Sequence, residues 1–270
     1  MIIEVRDATF GYRQHTVIEG LDLTTPENKV LTILGKNGVG KTTLLKCMMG
    51  FLHWRRGKTL LDGRPLASYP QREIWQHVSY VPQAKRSAFA YSVIDTVVMG
   101  LNASSGMFSV PSREDYERAH DVIARLGIEG IEQKDCSEVS GGELQMALIA
   151  RALVSNPSVL ILDEPESNLD MRNQLRVMGA IEGVAGAGDT TCVINTHFPE
   201  HALAISDETL FLGPGGMRLL GPTADVVTEE NIRRFYEVDA ALVPVSTAVG
   251  PRRTIYPYRI VEPAAAGRQA

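Results

Sequence analysis

Nine consecutive residues, Gly35-Lys36-Asn37-Gly38-Val39-Gly40-Lys41-Thr42-Thr43, carry the densest chemistry in the sequence. Glycines at this spacing let a loop curl until successive backbone N–H groups converge on one anion. An apolar run precedes them, Val30-Leu31-Thr32-Ile33-Leu34, and a helical-looking segment follows, Leu44-Leu45-Lys46-Cys47-Met48-Met49. That is the strand–loop–helix setting in which G-x-x-x-x-G-K-[ST] has physical meaning. The helix N-terminus adds partial positive charge. Lys41 is then placed to reach β- and γ-phosphates, and the Thr42 hydroxyl to ligate Mg²⁺. Such a loop predicts a nucleotide site without saying what the nucleotide is used for.

Two further groups bear on that chemistry. Val159-Leu160-Ile161-Leu162 is an apolar strand delivering Asp163 and Glu164 to its C-terminal edge, where open α/β sheets bind ligands. Asp163 is positioned to hold Mg²⁺, and Glu164 to polarise a water aimed at the γ-phosphate. Val139-Ser140-Gly141-Gly142-Glu143-Leu144-Gln145 opens a helix, with Ser140 and Glu143 spaced as a capping box. Free N–H groups there make a second anion cradle. Two cradles are more than one nucleotide needs, unless the second serves a neighbouring subunit.

The elements that must position these residues can be read from periodicity. Short strands are expected at Ile2–Val5, Val17–Leu23 and residues 30–34, with a helix from Lys41 to about Met49. Asp62-Gly63 signals a hairpin, and Val78-Ser79-Tyr80-Val81 a strand ended by Pro82. From Ala84 to about Ser140 the pattern turns helical, which suggests a block inserted into the core. Helices around 142–155 and 172–184, with strands at 159–162 and 191–195, give the alternation of a doubly wound α/β core. The tail from about Pro244, with Pro251, Pro257 and Pro263, reads as loop, ending in a disordered Ala-Gly-Arg-Gln-Ala.

Bulk properties limit the function classes. With 44% hydrophobic and 22% charged residues, the 270-residue chain is an ordinary globular protein of one large or two small domains. A net charge of −5 leaves no footprint for nucleic acid. Cys47, Cys136 and Cys192 have neither disulfide nor metal-ligand spacing. No apolar run approaches the roughly 20 residues that span a bilayer, so membrane association is expected only through a partner.

On these motifs, in this order, the chain resembles the ATP-binding-cassette (ABC) ATPases from Met1 to about Asp239. Gly35 to Thr42 match the Walker A loop, Val159 to Glu164 the Walker B strand, and Val139 to Gln145 the family signature, with Val139 where Leu is usual. Gln83 matches the Q-loop glutamine, and Ser167-Asn168-Leu169-Asp170 the D-loop. His197 matches the switch histidine and Tyr12 the aromatic that stacks on adenine. The resemblance implies a P-loop NTPase (RecA-like) α/β core over residues 1–240, with an N-terminal antiparallel β subdomain. A helical subdomain, about 84–155, would be inserted, and 241–270 would be a partly disordered extension. It also implies a head-to-tail homodimer in which each ATP lies between one Walker A loop and the other copy's Ser140-Gly141-Gly142. Glu164 would be the catalytic base, His197 would contact the γ-phosphate, Gln83 would sense Mg²⁺, and Asp170 would act across the dimer.

Softer features, including Tyr80-Val81-Pro82-Gln83, His201-Ala202-Leu203 and Gly221-Pro222-Thr223, look most like importers of iron chelates, haem, cobalamin and related ligands. Such a subunit would sit at the cytoplasmic face of the membrane on a separate permease, served indirectly by a binding protein. The segment around Phe89 and Tyr91 would meet that permease or be a buried connection. An exporter subunit, a soluble mechanical ATPase and a small-molecule phosphotransferase are the other readings. Departures from the family pattern are Glu166 for the usual Thr or Ser, Phe198 for Asp, and Lys36 for Pro or Ala.

Overall fold

The computed structural model describes residues 1–83, 91–103 and 110–261. Strand β1 (Ile3–Tyr12) turns into β2 (His15–Thr24), and β3 (Val30–Leu34) leads through the glycine loop into α1 (Lys41–Met48). The β4 (Arg56–Leu61) and β5 (Arg64–Pro65) hairpin follows, then α2 (Gln71–His77) and β6 (Val78–Val81). Three helices come next: α3 (Val93–Val98), α4 (Arg113–Arg125) and α5 (Gly141–Leu153). The chain re-enters the core as β7 (Val159–Asp163), α6 (Met171–Gly186), β8 (Thr191–Thr196), α7 (Pro199–Ile205) and β9 (Glu208–Leu212). It ends with β10 (Arg218–Pro222), α8 (Thr223–Val226), α9 (Glu229–Tyr236), β11 (Val238–Thr247) and β12 (Gly250–Ile260).

The central sheet has the order β10-β9-β3-β8-β7-β6, parallel except for the antiparallel β10 edge. Every residue of β3, β7 and β8 is buried. Strands apolar on both faces need cover on both faces, which a parallel sheet flanked by helices provides. Its strand ends converge the phosphate loop after β3, the carboxylates after β7 and His197 after β8 on one edge. A second, antiparallel sheet, β2-β1-β4-β5, packs its inner residues, among them Val5, Phe10 and Leu21, with Leu31, Leu44 and Ile161 of the core. Among the described residues no helix is long and apolar enough to cross a membrane.

Two sequence expectations change. The first strand is longer than Ile2–Val5, because Asp7 adopts a left-handed φ of 44° and the register shifts there. Such bulges let a strand continue past a break in alternation. The tail is not loop up to Val261: β11 and β12 form a hairpin that packs Ala240 and Ile255 against Ile232 and Phe235. Pro244 pairs with Arg253, Pro251 with Ser246, and Pro257 with Ala240, all in the same alternate set of positions. Their missing N–H groups therefore fall on the hairpin's free edges, where a proline costs no ladder bond. The final Ala-Gly-Arg-Gln-Ala and Phe89 lie outside the described residues.

Candidate functional site

The phosphate loop is shaped by its glycines and by the wall behind it. Gly40, the N-cap of α1, has φ 104°, and a Cβ there would come within 2.5 Å of Val17 Cγ1. Both facts demand glycine. Lys41 folds back under the loop, 4% exposed, with Nζ donating to Gly35 O at 2.8 Å and to Lys36 O at 3.1 Å. Burial pulls its ammonium below the ordinary lysine range, while Glu164, Asp163 and Glu166 oppose that shift. Those two carbonyls hold the ammonium where phosphate oxygens can take over.

Asp163 is the hub on the opposite wall. The Thr42 hydroxyl donates to Asp163 Oδ1 at 3.0 Å, and the Tyr80 hydroxyl to Oδ2 at 3.1 Å. Asn195 pairs directly with Asp163 across β7 and β8, and its amide donates to Asp163 Oδ1. Burial, then the Asp163 charge, raises the Tyr80 phenol above its ordinary range, which keeps it a proton donor. These groups suit Mg²⁺, a hard cation that takes oxygens. Thr42 Oγ1 and Asp163 Oδ1 have the separation of neighbouring octahedral ligands about 2.1 Å from one metal. Asn195 Oδ1 adds a buried oxygen that has no hydrogen-bond partner among the described residues.

Glu164 stands one residue farther out, at a left-handed φ of 48° that turns its carboxylate toward the cleft. Its N–H donates to Asn195 O at 2.8 Å, and the Ser167 hydroxyl donates to Oε2 at 2.9 Å. Oε1 lies 3.6 Å from His197 Nδ1 and 3.9 Å from Lys41 Nζ. Strain at such a position is retained where the surroundings over-determine it, as at active sites.

Between these walls lies an open cleft of about 390 Å³ lined by Tyr12, Asn37, Gly38, Lys41, Thr43 and Glu164, among others. The Tyr12 ring is half exposed, set edge-on against Phe10 at 5.0 Å, with its hydroxyl 3.5 Å from Thr43 Oγ1. It offers a flat apolar face beside the phosphate loop.

Ser140-Gly141-Gly142 forms a separate structure. Ser140 caps α5 in a reciprocal box with Glu143, at 2.8 and 3.3 Å. A Cβ on Gly142 would lie 2.2 Å from Asn173 Cγ, so glycine is required for α5 to meet α6. The Asn173 amides donate to Asp170, which caps α6, at 2.9 Å each. Ser140, Gly141 and Asp170 thus share one exposed corner. Among the described residues, no hydrogen bond or ion pair joins that corner to the phosphate loop. Gln83, partly buried, lies two residues beyond β6, and the chain beyond it is outside the described residues until Tyr91.

The sequence brought out Lys41, Thr42, Asp163, Glu164 and His197, and the structure brings them together. It did not bring out Asn195, Tyr80 or Ser167 as partners of the two carboxylates. One signal was present: Asn195 and Thr196 are polar residues directly after the apolar run Cys192-Val193-Ile194, and both are fully buried.

Comparison with known proteins bears on the same residues. Residues 18–167 match the model of the ABC transporter family. A Methanocaldococcus jannaschii protein named "Uncharacterized ABC transporter ATP-binding protein MJ0089" is 34% identical over 255 residues, 93% of this chain and 99% of that one. Helicobacter pylori "Probable iron chelatin transport ATP-binding protein" is 32% identical over 241 residues, 88% and 93% of the two chains. A chain of a metal-chelate type ABC transporter in an inward-facing conformation superposes with a TM-score of 0.84 at 29% identity, covering 95% of this chain and 96% of that one. The chain therefore belongs to the ABC transporter family, as an ATP-binding subunit with ATPase activity.

Proposed function

We propose that this chain energises an importer, hydrolysing ATP between two head-to-tail copies to move a separate permease at the cytoplasmic face of the membrane. The observation that carries it is the set of contacts by which Thr42 meets Asp163 and both Lys41 and His197 meet Glu164, beside one cleft. Lys41 binds the β- and γ-phosphates, and Gly35, Asn37, Gly38, Gly40 and Thr43 cradle them through the loop. Tyr12 stacks on adenine. Thr42 and Asp163, with Gln83, hold Mg²⁺, which would neutralise phosphate charge when bound. Glu164 accepts the proton of the water that attacks the γ-phosphorus, releasing ADP and phosphate, and His197 steadies the γ-phosphate. The exposed corner of Ser140, Gly141 and Asp170, with Gly142 buried behind it, faces the ATP of the other copy.

Relatives include a Haemophilus influenzae molybdate import protein, 31% identical, besides the iron chelatin protein. That supports a metal chelate or an oxyanion as cargo, delivered by a binding protein, and import over export. The test is reconstitution with its permease and binding protein in vesicles, with ferric chelate, haem, cobalamin and molybdate offered in turn. ATP on the side of this chain should draw one of them toward that side. Movement of cargo away from the ATP-bearing side would establish export instead.

A further inference from the structure

Two of the three departures from the family pattern, Glu166 and Phe198, meet in the structure through Thr196. Glu166 is fully buried, although it carries a carboxylate. Thr196 Oγ1 donates to Glu166 Oε1 and accepts the Phe198 N–H at 3.1 Å. His201 Nδ1 stands 3.5 Å from the same Glu166 oxygen. The Phe198 ring packs against both imidazoles, 4.1 Å from His197 and 5.2 Å from His201. Glu166 Oε2 has no hydrogen-bond partner among the described residues.

A half-satisfied buried carboxylate is costly, and replacing such a group together with its donor by apolar side chains commonly leaves a fold as stable or more so. Stability alone therefore does not account for Glu166. Its geometry does. A hydroxyl has one proton, and Thr196 gives it to Glu166. That fixes where the Thr196 lone pairs point, and one of them receives the Phe198 N–H. The bonds run Phe198 N–H to Thr196 O–H to Glu166, each polarising the next. Between Thr196 and Phe198 sits His197. The neighbouring residue on the β7 side, Glu164, is tied to β8 separately, through its N–H on Asn195 O. The two ties join the strand ends that carry Glu164 and His197.

We propose that Glu166 is a positioning residue for hydrolysis: through Thr196 it locks the turn at His197, keeping that imidazole at the Glu164 carboxylate. It touches neither ATP nor the attacking water. The inference rests on the reading of Glu164 and His197 given above. Because the lock needs an acceptor rather than a charge, glutamine at 166 can serve and leucine cannot.

The test is steady-state ATP hydrolysis by the full-length chain carrying Glu166→Leu, Glu166→Gln, Thr196→Val or the Leu/Val pair, with Glu164→Gln alongside. Glu166→Leu should lower kcat about tenfold, with KM for ATP moving less than about threefold. The Leu/Val pair removes donor and acceptor together, so its thermal midpoint should stay near that of the unaltered chain. Glu166→Gln should restore kcat to within about twofold, and Thr196→Val should match the leucine variant. The pair should be no worse than either alone, as for members of one network. Should Glu166→Leu fail to fold, Thr196→Val carries the same prediction. Losses that multiply in the pair, or a glutamine variant as slow as leucine, would overturn the inference. So would full activity of both Glu166→Leu and Thr196→Val beside an inactive Glu164→Gln. A fully active Glu164→Gln would instead overturn the reading of Glu164 itself.

Discussion

Replacing Glu164 with glutamine is expected to slow ATP turnover by about a hundredfold to ten-thousandfold, the range lost with a general base. The substitution keeps shape and volume. The Ser167 hydroxyl can still donate to the glutamine carbonyl oxygen, and the N–H to Asn195 O does not involve the side chain. What disappears is the ability to take a proton from water. ATP binding should persist, because Lys41 and the loop glycines are untouched, and loss of a negative group 3.9 Å from Lys41 leaves more of its charge for phosphate. With binding intact and hydrolysis blocked, two copies should stay closed on their nucleotides. Phosphate release, fluorescent-nucleotide titration and sedimentation of one preparation check the three statements. Turnover within a few-fold of the unaltered chain would remove Glu164 from its assigned role.

Lys41→Ala is the second large effect, and its signature is opposite. Here ATP affinity should fall by one to two orders of magnitude, as expected for loss of a charged hydrogen bond of about 1.5–3 kcal/mol. The buried ammonium is already desolvated and held by Gly35 O and Lys36 O, so phosphate oxygens would replace two carbonyls rather than a water shell. Pre-organisation of this kind is what makes a buried cation effective. Hydrolysis at saturating ATP should fall as well, since the same ammonium stands 3.9 Å from Glu164 and on the proposed reading would also hold the γ-phosphate. Isothermal titration with ATP separates the two variants: Glu164→Gln binds and does not turn over, while Lys41→Ala hardly binds. Circular dichroism guards against an unfolded alanine chain.

These outcomes depend on parts of the molecule that differ in how far the sequence exposes them. The phosphate loop is legible because its demands are local: Gly40 is glycine for a left-handed φ and for Val17 pressing on it. Asp163 and Glu164 are legible because a buried apolar strand can only deliver polar residues at its end. Their partners are less so. Tyr80 and Asn195 reach Asp163 across β6, β7 and β8, and the pairing of Asp163 with Asn195 is a matter of strand register. One residue of slip would turn Asn195 away, and nothing in the local spacing fixes that register. The tail misleads for a different reason. Prolines argue against a central strand, but β11–β12 is all edge, so that Pro244, Pro251 and Pro257 fit it. Glu166 was visible only as a departure, and its partners Thr196 and His201 come from 30 and 35 residues onward in sequence.

The central claim is that one chain holds half of each site, with the Ser140 corner completing the cleft of another copy. Within one chain these two regions share no hydrogen bond among the described residues, and the corner carrying Ser140, Gly141 and Asp170 is exposed. The most direct measurement mixes two full-length variants, Lys41→Ala and Ser140→Arg, each inactive alone. In a mixed dimer both lesions fall on one site and the other site is intact. Random pairing makes about half the dimers mixed, so hydrolysis should recover to roughly a quarter of the unaltered level if the sites act independently. Recovery that rises with the fraction of mixed dimers is the predicted result. Hydrolysis by Ser140→Arg alone, or none at any mixing ratio, would contradict a site shared between two copies.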